Sequence, residues 1–386
     1  MATERTVAPP DSPGRRVSIV IPCLNEAENI GECVRRGFEA LGEAGIAGEV
    51  IVVDNGSEDG SGELARAAGA TVIDETRRGY GQAYLTGFAV ATGDYIVMID
   101  ADLTYDFGEI PRFVTELDGG AQLVMGNRMD SIEPGAMSVI SRIGNPILTG
   151  FLRLLHPTPV QDAHCGLRAV RRDVLPRLDL RSTGMEFASE MVIRAAKVGL
   201  VVTELPIALH VRGGESKLSP FRDGWRHLRL ILIYSPNALF IVPGVALVAL
   251  GVLLGVLVFT RVDLFGRPFF VHTLIAGSTL TIIGSQVIGL GLCGRAYAVY
   301  VMGEGDPWLE RMQGRLRLEH GLLIGLGVVT AGLALAGVVV GVWIRDGFGT
   351  LGEERLAIVS MTLVVIGIQV FFTSFLLSLL GLRRRA

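Results

Sequence analysis

The chain has 386 residues, enough for two or three domains, and 35 Lys and Arg against 39 Asp and Glu give a net charge of −4. This value averages two unlike parts, because charged residues are concentrated in the first 230 positions and four uncharged apolar runs follow. The four cysteines are scattered without a CxxC pair, which argues against a disulfide or zinc framework. No nucleic-acid partner is expected.

The first part of the chain alternates strand-like and helix-like segments. Short apolar runs bounded by turn residues predict strands, and the segments between them have helical composition. This alternation favours an α/β domain with a parallel or mostly parallel sheet. No GxGxxG follows the first run, which argues against an ordinary dinucleotide-binding fold. The predicted strands cover residues 17–21, 49–53, 70–73, 95–99 and 122–125.

Polar residues follow three of these strands. After the first, Asn25 and Glu28 have the spacing of a helix capping box. The second strand ends in Asp54, a carboxylate that needs a partner if the strand is buried. The run at 95–99 is apolar throughout, as in strands buried on both faces, and it ends in Asp100 and Asp102.

These two aspartates indicate a ligand site. Ligands of open α/β sheets collect beyond the carboxyl ends of the strands. Neighbouring carboxylates repel one another unless a cation joins them, and Mg²⁺ and Mn²⁺ favour carboxylate and phosphate oxygens. Asp100 and Asp102 therefore predict a divalent metal with a phosphate-bearing ligand. The alternative is a solvated turn after a strand.

Four apolar runs near the C-terminus each reach the roughly 20 residues that an α-helix needs to cross a hydrocarbon core of about 30 Å. The loops on one side of these spans carry ten arginines and the alternate loops carry four. The positive-inside rule therefore places the N-terminal domain and the C-terminal tail in the cytosol. The predicted spans cover residues 237–259, 272–294, 321–344 and 356–380.

An amphipathic segment precedes the first span. Phe221 and Trp225 interleave there with Arg222, Arg226 and Arg229, a pattern that predicts a helix lying in the membrane interface. An ordinary surface helix is the alternative. A second interfacial helix is predicted within residues 295–320. The predicted divisions are a disordered proline-rich tail (1–16), an α/β domain (17–218), the interfacial helix (219–236) and a membrane domain (237–382).

The first 230 residues resemble family 2 glycosyltransferases with a GT-A (nucleotide-diphospho-sugar transferase) fold, and among them the polyprenyl-phosphate (dolichyl-phosphate) sugar synthases. A single Asp-Ala-Asp match is weakly specific, but a full series in order, followed by membrane spans, is strongly specific. The matching stretches are SIVIPCLNE (18–26), VDNGSEDG (53–60), RGYG (78–81), DAD (100–102), GNR (126–128), QDAHCGLR (161–168) and RGGESKL (212–218).

The resemblance implies transfer of a sugar from a nucleotide donor to the phosphate of a membrane polyprenol, with inversion. UDP-glucose and GDP-mannose both fit as donors. The metal would be Mg²⁺ or Mn²⁺, bound directly by Asp102, with Asp100 facing the nucleotide and the metal's shell. Thr104 occupies the place where many relatives carry a Gln ligand, and it is a weaker one.

The resemblance also assigns a donor pocket to the ends of the first two strands. Pro22, Leu24, Asn25, Glu26 and Asp54 match the family's base and ribose site. Helix capping remains the alternative for Asn25 and Glu26.

The acceptor is a phosphate monoester, which is largely dianionic near pH 7 because its second pKa is about 6. Because it is already a nucleophile, a strong general base is less necessary than positive charge that holds the acceptor. Arg128 matches a family arginine near the phosphates, and Arg142 is either an acceptor clamp or a surface arginine. Asp162 matches a carboxylate that orients or assists the attacking group. Arg212 and Lys217 flank a glycine pair, as in a lid that closes over the diphosphate.

Two further interpretations remain for the whole chain. A processive polysaccharide synthase would carry Gln-x-x-Arg-Trp, which is missing here despite Trp225 and Arg226. An inactive membrane scaffold or lipid-carrier translocation subunit would not need the full set of Asp, Arg and Lys residues. We expect an integral protein of the cell membrane with a cytosolic catalytic domain, and a homo-oligomer is compatible with the sequence.

Overall fold

The computed structural model describes residues 16–213, 219–261, 270–300, 318–348 and 352–382. The chain divides into two compact units, Met1–Tyr234 and Ser235–Ala386. Lys217 and the predicted N-terminal tail, apart from Arg16, lie outside the described residues.

The first unit contains a sheet of seven strands within its described part, covered by helices. The strands are β1 (Val17–Cys23), β2 (Gly48–Asp54), β3 (Thr71–Asp74), β4 (Tyr95–Met98), β5 (Leu123–Asn127), β6 (Arg168–Arg171) and β7 (Val202–Pro206). The helices are α1 (Ile30–Glu43), α2 (Ser61–Ala67), α3 (Tyr80–Val90), α4 (Ile110–Asp118), α5 (Val139–Leu155), α6 (Leu175–Leu178), α7 (Phe187–Lys197) and α8 (Pro220–Ile233).

The strand order is β3-β2-β1-β4-β6-β5-β7. Strand β6 runs antiparallel to both neighbours, with Met98 of β4 opposite Arg168, and the other pairings are parallel. The prediction of a mostly parallel α/β sheet is therefore confirmed. Five strands were expected, and β6 and β7 are additional.

The sheet separates two apolar clusters, because alternate residues of a strand point to opposite faces. In β4, Val97 belongs to the cluster beneath α1 and α4, whereas Ile96 and Met98 belong to the cluster beneath α3 and α7. Burial on both faces explains why this strand is apolar throughout, as predicted.

The capping-box prediction for Asn25 is wrong. The helix after β1 begins at Ile30, and Asn29 is its capping residue. Asn25 adopts a left-handed conformation with φ of 50°, and its side-chain oxygen accepts a hydrogen bond from the Glu58 backbone N–H at 2.8 Å. This contact between two loops replaces the local cap.

Helix α8 lies within the segment predicted to form a helix just before the first span, and its position in the membrane interface stays a prediction. Its inner face packs against α5 and α7 and buries Asp223, His227 and Ile231. The Ser189 hydroxyl and His227 Nδ1 are 2.8 Å apart, and the Tyr234 hydroxyl donates to Glu190 at 2.9 Å. The helix is thus part of the first unit.

The second unit consists, in its described part, of a short π-helical turn at Asn237–Ile241 and four long helices. These are α9 (Val242–Thr260), α10 (Val271–Tyr300), α11 (Leu318–Arg345) and α12 (Glu354–Leu382). All four are long and apolar enough to cross a membrane, which confirms the predicted spans. Close glycine contacts join α9 to α10 and α11 to α12, as expected where apolar helices meet in lipid.

The second predicted interfacial helix is tested only in part. Residues 295–300 continue α10, and residues 301–317 lie outside the described part of the chain.

Candidate active site

Asp100 follows β4 at the carboxyl edge of the sheet. The Tyr80 hydroxyl donates to its Oδ1 at 3.0 Å, the Tyr84 hydroxyl reaches the same oxygen at 3.5 Å, and the two tyrosine rings are in edge contact. Desolvation by the surrounding protein and the negative charge of Asp102 raise the pKa of Asp100 to about 6. The two aspartates are therefore close enough to repel one another, as the sequence predicted.

Asp102 is buried and held on both oxygens. Its Oδ1 accepts from the Thr104 backbone N–H at 3.1 Å and from the Thr104 hydroxyl at 2.5 Å. Its Oδ2 lies 3.3 Å from Arg212 Nη1. Thr104 thus positions the carboxylate of Asp102, and its role as a metal ligand remains a prediction.

Arg212 connects the loop after β1 to the aspartate pair. Its Nη2 donates to Glu26 Oε1 at 2.7 Å, while its Nη1 faces Asp102. The next residue is also anchored, because Gly213 N–H donates to the Asp102 carbonyl and the Gly213 carbonyl accepts from Asn29. The start of the predicted lid therefore lies on the site.

The loops after β1 and β2 are joined by polar contacts. The backbone N–H of Asn25 donates to the Ser57 hydroxyl and that of Glu26 donates to the Ser61 hydroxyl, both at 2.9 Å. Asp54, at the end of β2, accepts from the Ser57 backbone N–H at 2.8 Å. These bonds bring the predicted base and ribose residues to one edge. Pro22 lies in β1 opposite Val53, and Leu24 follows that strand.

A buried ion pair forms the second half of the site. Arg128 Nε and Nη2 donate to the two oxygens of Asp162 at 2.7 and 2.9 Å, and both residues are buried. Burial acts to raise the pKa of Asp162, but the charge and hydrogen bonds of Arg128 outweigh it, so the pKa is lowered. Asp162 is therefore an ionised partner of Arg128 and a poor proton acceptor.

Tyr105 and Glu204 support this pair. The Tyr105 hydroxyl accepts from Arg128 Nη1 at 3.2 Å and from the Gly166 backbone N–H at 2.8 Å. Glu204 of β7 accepts from the backbone N–H of Asp162 at 2.9 Å. Sequence reasoning missed both, and it missed Tyr80, although the matched RGYG stretch contains it.

Arg142 lies apart from the hydrogen bonds described above. Its side chain is on the exposed side of α5. Its assignment as an acceptor clamp therefore remains a prediction.

Residues that could hold a metal are few. Among the described residues, no group of three or more His, Cys, Asp and Glu is arranged to bind one. Asp100 and Asp102 alone would leave most of the coordination to other oxygens. That fits Mg²⁺, which proteins usually bind through one or two carboxylates together with substrate phosphates and water.

A mixed α/β sheet with paired aspartates at its edge, followed by four spanning helices, defines a membrane-bound glycosyltransferase with a GT-A fold. The family model described as "Glycosyl transferase family 2" matches residues 18–178. The model "Glycosyltransferase family 2 C-terminal transmembrane region" matches residues 292–381. The chain belongs to glycosyltransferase family 2 and is an integral membrane protein.

Curated relatives agree with this assignment. The chain is 42% identical over 368 residues to the low-salt glycan biosynthesis hexosyltransferase Agl6 of Haloferax volcanii, covering 95% of this chain and 89% of the relative. It is 33% identical to a dolichyl-phosphate hexose transferase of the same organism, covering 54% of this chain and 89% of that one. It is 32% identical to an undecaprenyl-phosphate 4-deoxy-4-formamido-L-arabinose transferase of Pseudomonas fluorescens, covering 72% and 83%.

Proposed function

We propose that this enzyme transfers a hexosyl group from a nucleotide sugar to the phosphate of a polyprenol or dolichol in the membrane. The names of the relatives support a lipid-phosphate acceptor and a hexosyl donor. The observation that carries the proposal is the cluster of Asp100, Asp102 and Arg212, since it combines two carboxylates with a fixed cation.

Asp102 and Asp100 would hold Mg²⁺ or Mn²⁺, and the diphosphate of the donor would complete the coordination. When bound, such an ion supplies positive charge that stabilises the departing nucleoside diphosphate. Thr104 keeps Asp102 aimed at the site, and Tyr80 does the same for Asp100. The raised pKa of Asp100 supports this assignment, because a bound cation would offset both the desolvation and the repulsion by Asp102 that raise it.

Arg128 would bind the negatively charged phosphate oxygens, and Asp162 would position the guanidinium of Arg128. A phosphate monoester is already a nucleophile near pH 7, so the acceptor needs no strong base. The lowered pKa of Asp162 supports an orienting role over proton abstraction. Arg142 would contact the acceptor phosphate from α5, and Lys217 with Arg212 would close over the donor.

The donor would bind among Pro22, Leu24, Asn25, Glu26 and Asp54, at the joined loops after β1 and β2. UDP-glucose and GDP-mannose are the first donors to test. The arginine distribution favours a cytosolic catalytic domain, where nucleotide sugars are made available.

The test uses the purified full-length chain in lipid nanodiscs with a polyprenyl phosphate and a panel of labelled nucleotide sugars. A lipid-linked monosaccharide is the expected product. Asp102→Asn should abolish it, and Asp173→Asn, which changes an exposed aspartate paired with Arg171, should leave it unchanged. A long polymer would instead indicate a processive synthase. Absence of transfer with every donor, or full activity in chelator, would refute the proposal.

A further inference from the structure

The four spanning helices contain two glutamines, and the two differ in their surroundings. Gln369 of α12 is partly buried, and its Oε1 accepts from the Ser285 hydroxyl of α10 at 2.6 Å. Gln286, the next residue on α10, is exposed, and its side chain has no hydrogen-bond partner among the described residues. Polar side chains within spanning helices usually hydrogen-bond across to another helix. The outward position of Gln286 therefore points to a partner outside this chain.

The depth of Gln286 in the membrane strengthens this point. It lies eight residues, or about 12 Å, inside the nearer boundary of the span predicted at 272–294. At that depth the amide is too far from the headgroups to bind water. An amide surrounded by hydrocarbon loses its hydrogen bonds to water at a cost in free energy, unless another polar group replaces them.

The exposed residues of α10 form a regular pattern around Gln286. Seven of the eight fall into two series, each with a spacing of seven residues, which alternate at intervals of three and four. This is the a and d pattern of a helix that pairs with another helix in a left-handed crossing. The a series is Ala276, Ile283, Leu290 and Tyr297, the d series is His272, Thr279 and Gln286, and together they are called the α10 stripe.

The other sides of α10 are occupied within the second unit. A Cβ added at Gly277 would lie 2.7 Å from the Gly251 carbonyl oxygen, so α9 covers one side closely. The contact between Ser285 and Gln369 shows that α12 covers another. The α10 stripe lies on the remaining side, which the described helices leave exposed.

We propose that the α10 stripe is the interface between two copies of this chain, which pair in parallel along α10. Every copy enters the membrane in the same orientation, so a two-fold symmetric pair places identical residues opposite one another. Gln286 then meets Gln286 of the second copy. An amide has both a donor and an acceptor, so the two side chains can exchange hydrogen bonds. A single polar layer in such a seam also fixes the register of the two helices.

A second copy suits this surface better than lipid or another protein. Lipid would leave the Gln286 amide without a hydrogen bond. A different protein would need its own polar group at the same depth, whereas a second copy always supplies one. The α10 stripe contains no Asp, Glu, Lys or Arg that would repel the same residue of a second copy. The inference concerns the second unit and does not depend on which donor or acceptor the enzyme uses.

The first test is oxidative cross-linking of the full-length chain in proteoliposomes. Leu290→Cys places a thiol in the α10 stripe, and Leu333→Cys on α11 is the matched control, since both leucines are exposed, at 49% and 57%. Both variants also carry Cys293→Ser, because the other three cysteines are buried. A disulfide requires Cα atoms within about 7 Å, so Leu290→Cys should give at least about tenfold more cross-linked dimer than Leu333→Cys.

The second test measures dimerisation by energy transfer between labelled full-length chains at decreasing protein-to-lipid ratios. Gln286→Leu should raise the dimer dissociation constant about 10-fold, because it removes the hydrogen bonds between the helices. Gln286→Asn, which keeps the amide, should retain most of the affinity. Thr330→Leu should have no effect, since Thr330 is an exposed residue of α11 whose hydroxyl donates to the Leu326 carbonyl of its own helix.

Three results would overturn the proposal. The first is a chain that stays monomeric at every protein-to-lipid ratio, which would leave another protein or lipid as the occupant. The second is equal cross-linking of Leu290→Cys and Leu333→Cys, as random collisions would produce. The third is a dimer that Gln286→Leu does not weaken, because the interface would then lie elsewhere.

Discussion

Arg128 donates to both carboxylate oxygens of Asp162, at 2.7 and 2.9 Å, in a forked ion pair that is almost entirely buried. Such a pair tolerates the loss of one partner poorly, because the remaining charge is left without compensation. It joins β5 to the loop before β6, so it also holds two parts of the site in register.

Arg128→Met should destabilise this region by about 3–5 kcal/mol, whereas the double variant Arg128→Met/Asp162→Leu should recover part of that loss. Hydrogen exchange of the β5 and β6 amides in the full chain measures the local stability. Additive effects of the two single substitutions would show that the pair is not coupled.

Gly166→Ala should disturb the aspartate pair. A Cβ at Gly166 would overlap Asp100 Oδ2, and it would lie 3.1 Å from the ring of Tyr105. Displacing a catalytic group by about 1 Å can cost about 100-fold in rate, so a loss of that order in kcat/KM is expected. The control is Gly144→Ala on α5, where the added methyl group would have, apart from the backbone of its own helix, no described atom within 4 Å. Normal activity of Gly166→Ala would contradict the described position of Asp100.

Arg212→Lys should raise the KM for the nucleotide sugar by about 10-fold or more, because a hydrogen bond to a charged group contributes about 1.5–3 kcal/mol. A lysine presents one ammonium and cannot contact Glu26 and Asp102 together as the forked guanidinium does. Steady-state kinetics with Arg177→Lys, an exposed arginine on α6, provides the comparison. An unchanged KM would mean that the bridge is dispensable for donor binding.

His227 should make the catalytic unit less stable in acid. Burial lowers the pKa of its imidazole from 6.5 to about 4, with Arg168 acting in the same direction and Asp223 opposing it. In the unfolded chain His227 is therefore protonated as the pH falls below 6.5, whereas in the folded chain it is protonated only near pH 4. The contribution of the neutral His227 to the free energy of unfolding is complete above pH 6.5 and is lost as the pH falls towards 4.

The variant His227→Asn keeps a polar group near Ser189 but does not titrate. Between pH 7 and pH 5 the unmodified chain should lose about 1–2 kcal/mol more stability than this variant, measured by denaturant unfolding. His210→Asn, which alters an exposed histidine beside Glu133, is the matched control. Parallel pH profiles for the unmodified chain and His227→Asn would rule out this contribution.

The sequence predicted β1 to β5 and the aspartates after β4 because apolar runs with abrupt polar ends are local signals. It did not predict β6, since Arg168-Ala169-Val170-Arg171 has four residues with a cation at each end. In the fold Arg168 is fully buried, and its guanidinium donates to the carbonyls of Ala163, Cys165 and Ala188. The apolar pattern of the sequence does not show that a buried arginine will be satisfied by three backbone carbonyls, one of them 20 residues away.

Contacts between residues far apart in the chain explain the other differences between the predicted and the observed site. Tyr105 reaches Gly166 across 61 positions, and Asn25 reaches Glu58 across 33, so neither role can be derived from neighbouring residues. For Asn25 the local capping pattern was present, and the contact between loops overrode it. His164 also contacts a residue far along the chain, because its ring packs at 4.5 Å against His227 of α8, and among the described residues its buried ring nitrogens have no hydrogen-bond partner.

The reversed direction of β6 determines where the segment before that strand lies. A strand that runs against its neighbours begins where they finish, and here Arg168 starts opposite Met98, two residues before Asp100. Adjacent strands are about 4.8 Å apart, so the segment entering β6 emerges on the same rim as the chain leaving β4. With every strand aligned, Asp162 and the aspartate pair would stand at opposite ends of the sheet. A single inverted strand thus places Asp162 at the same end of the sheet as Asp100 and Asp102.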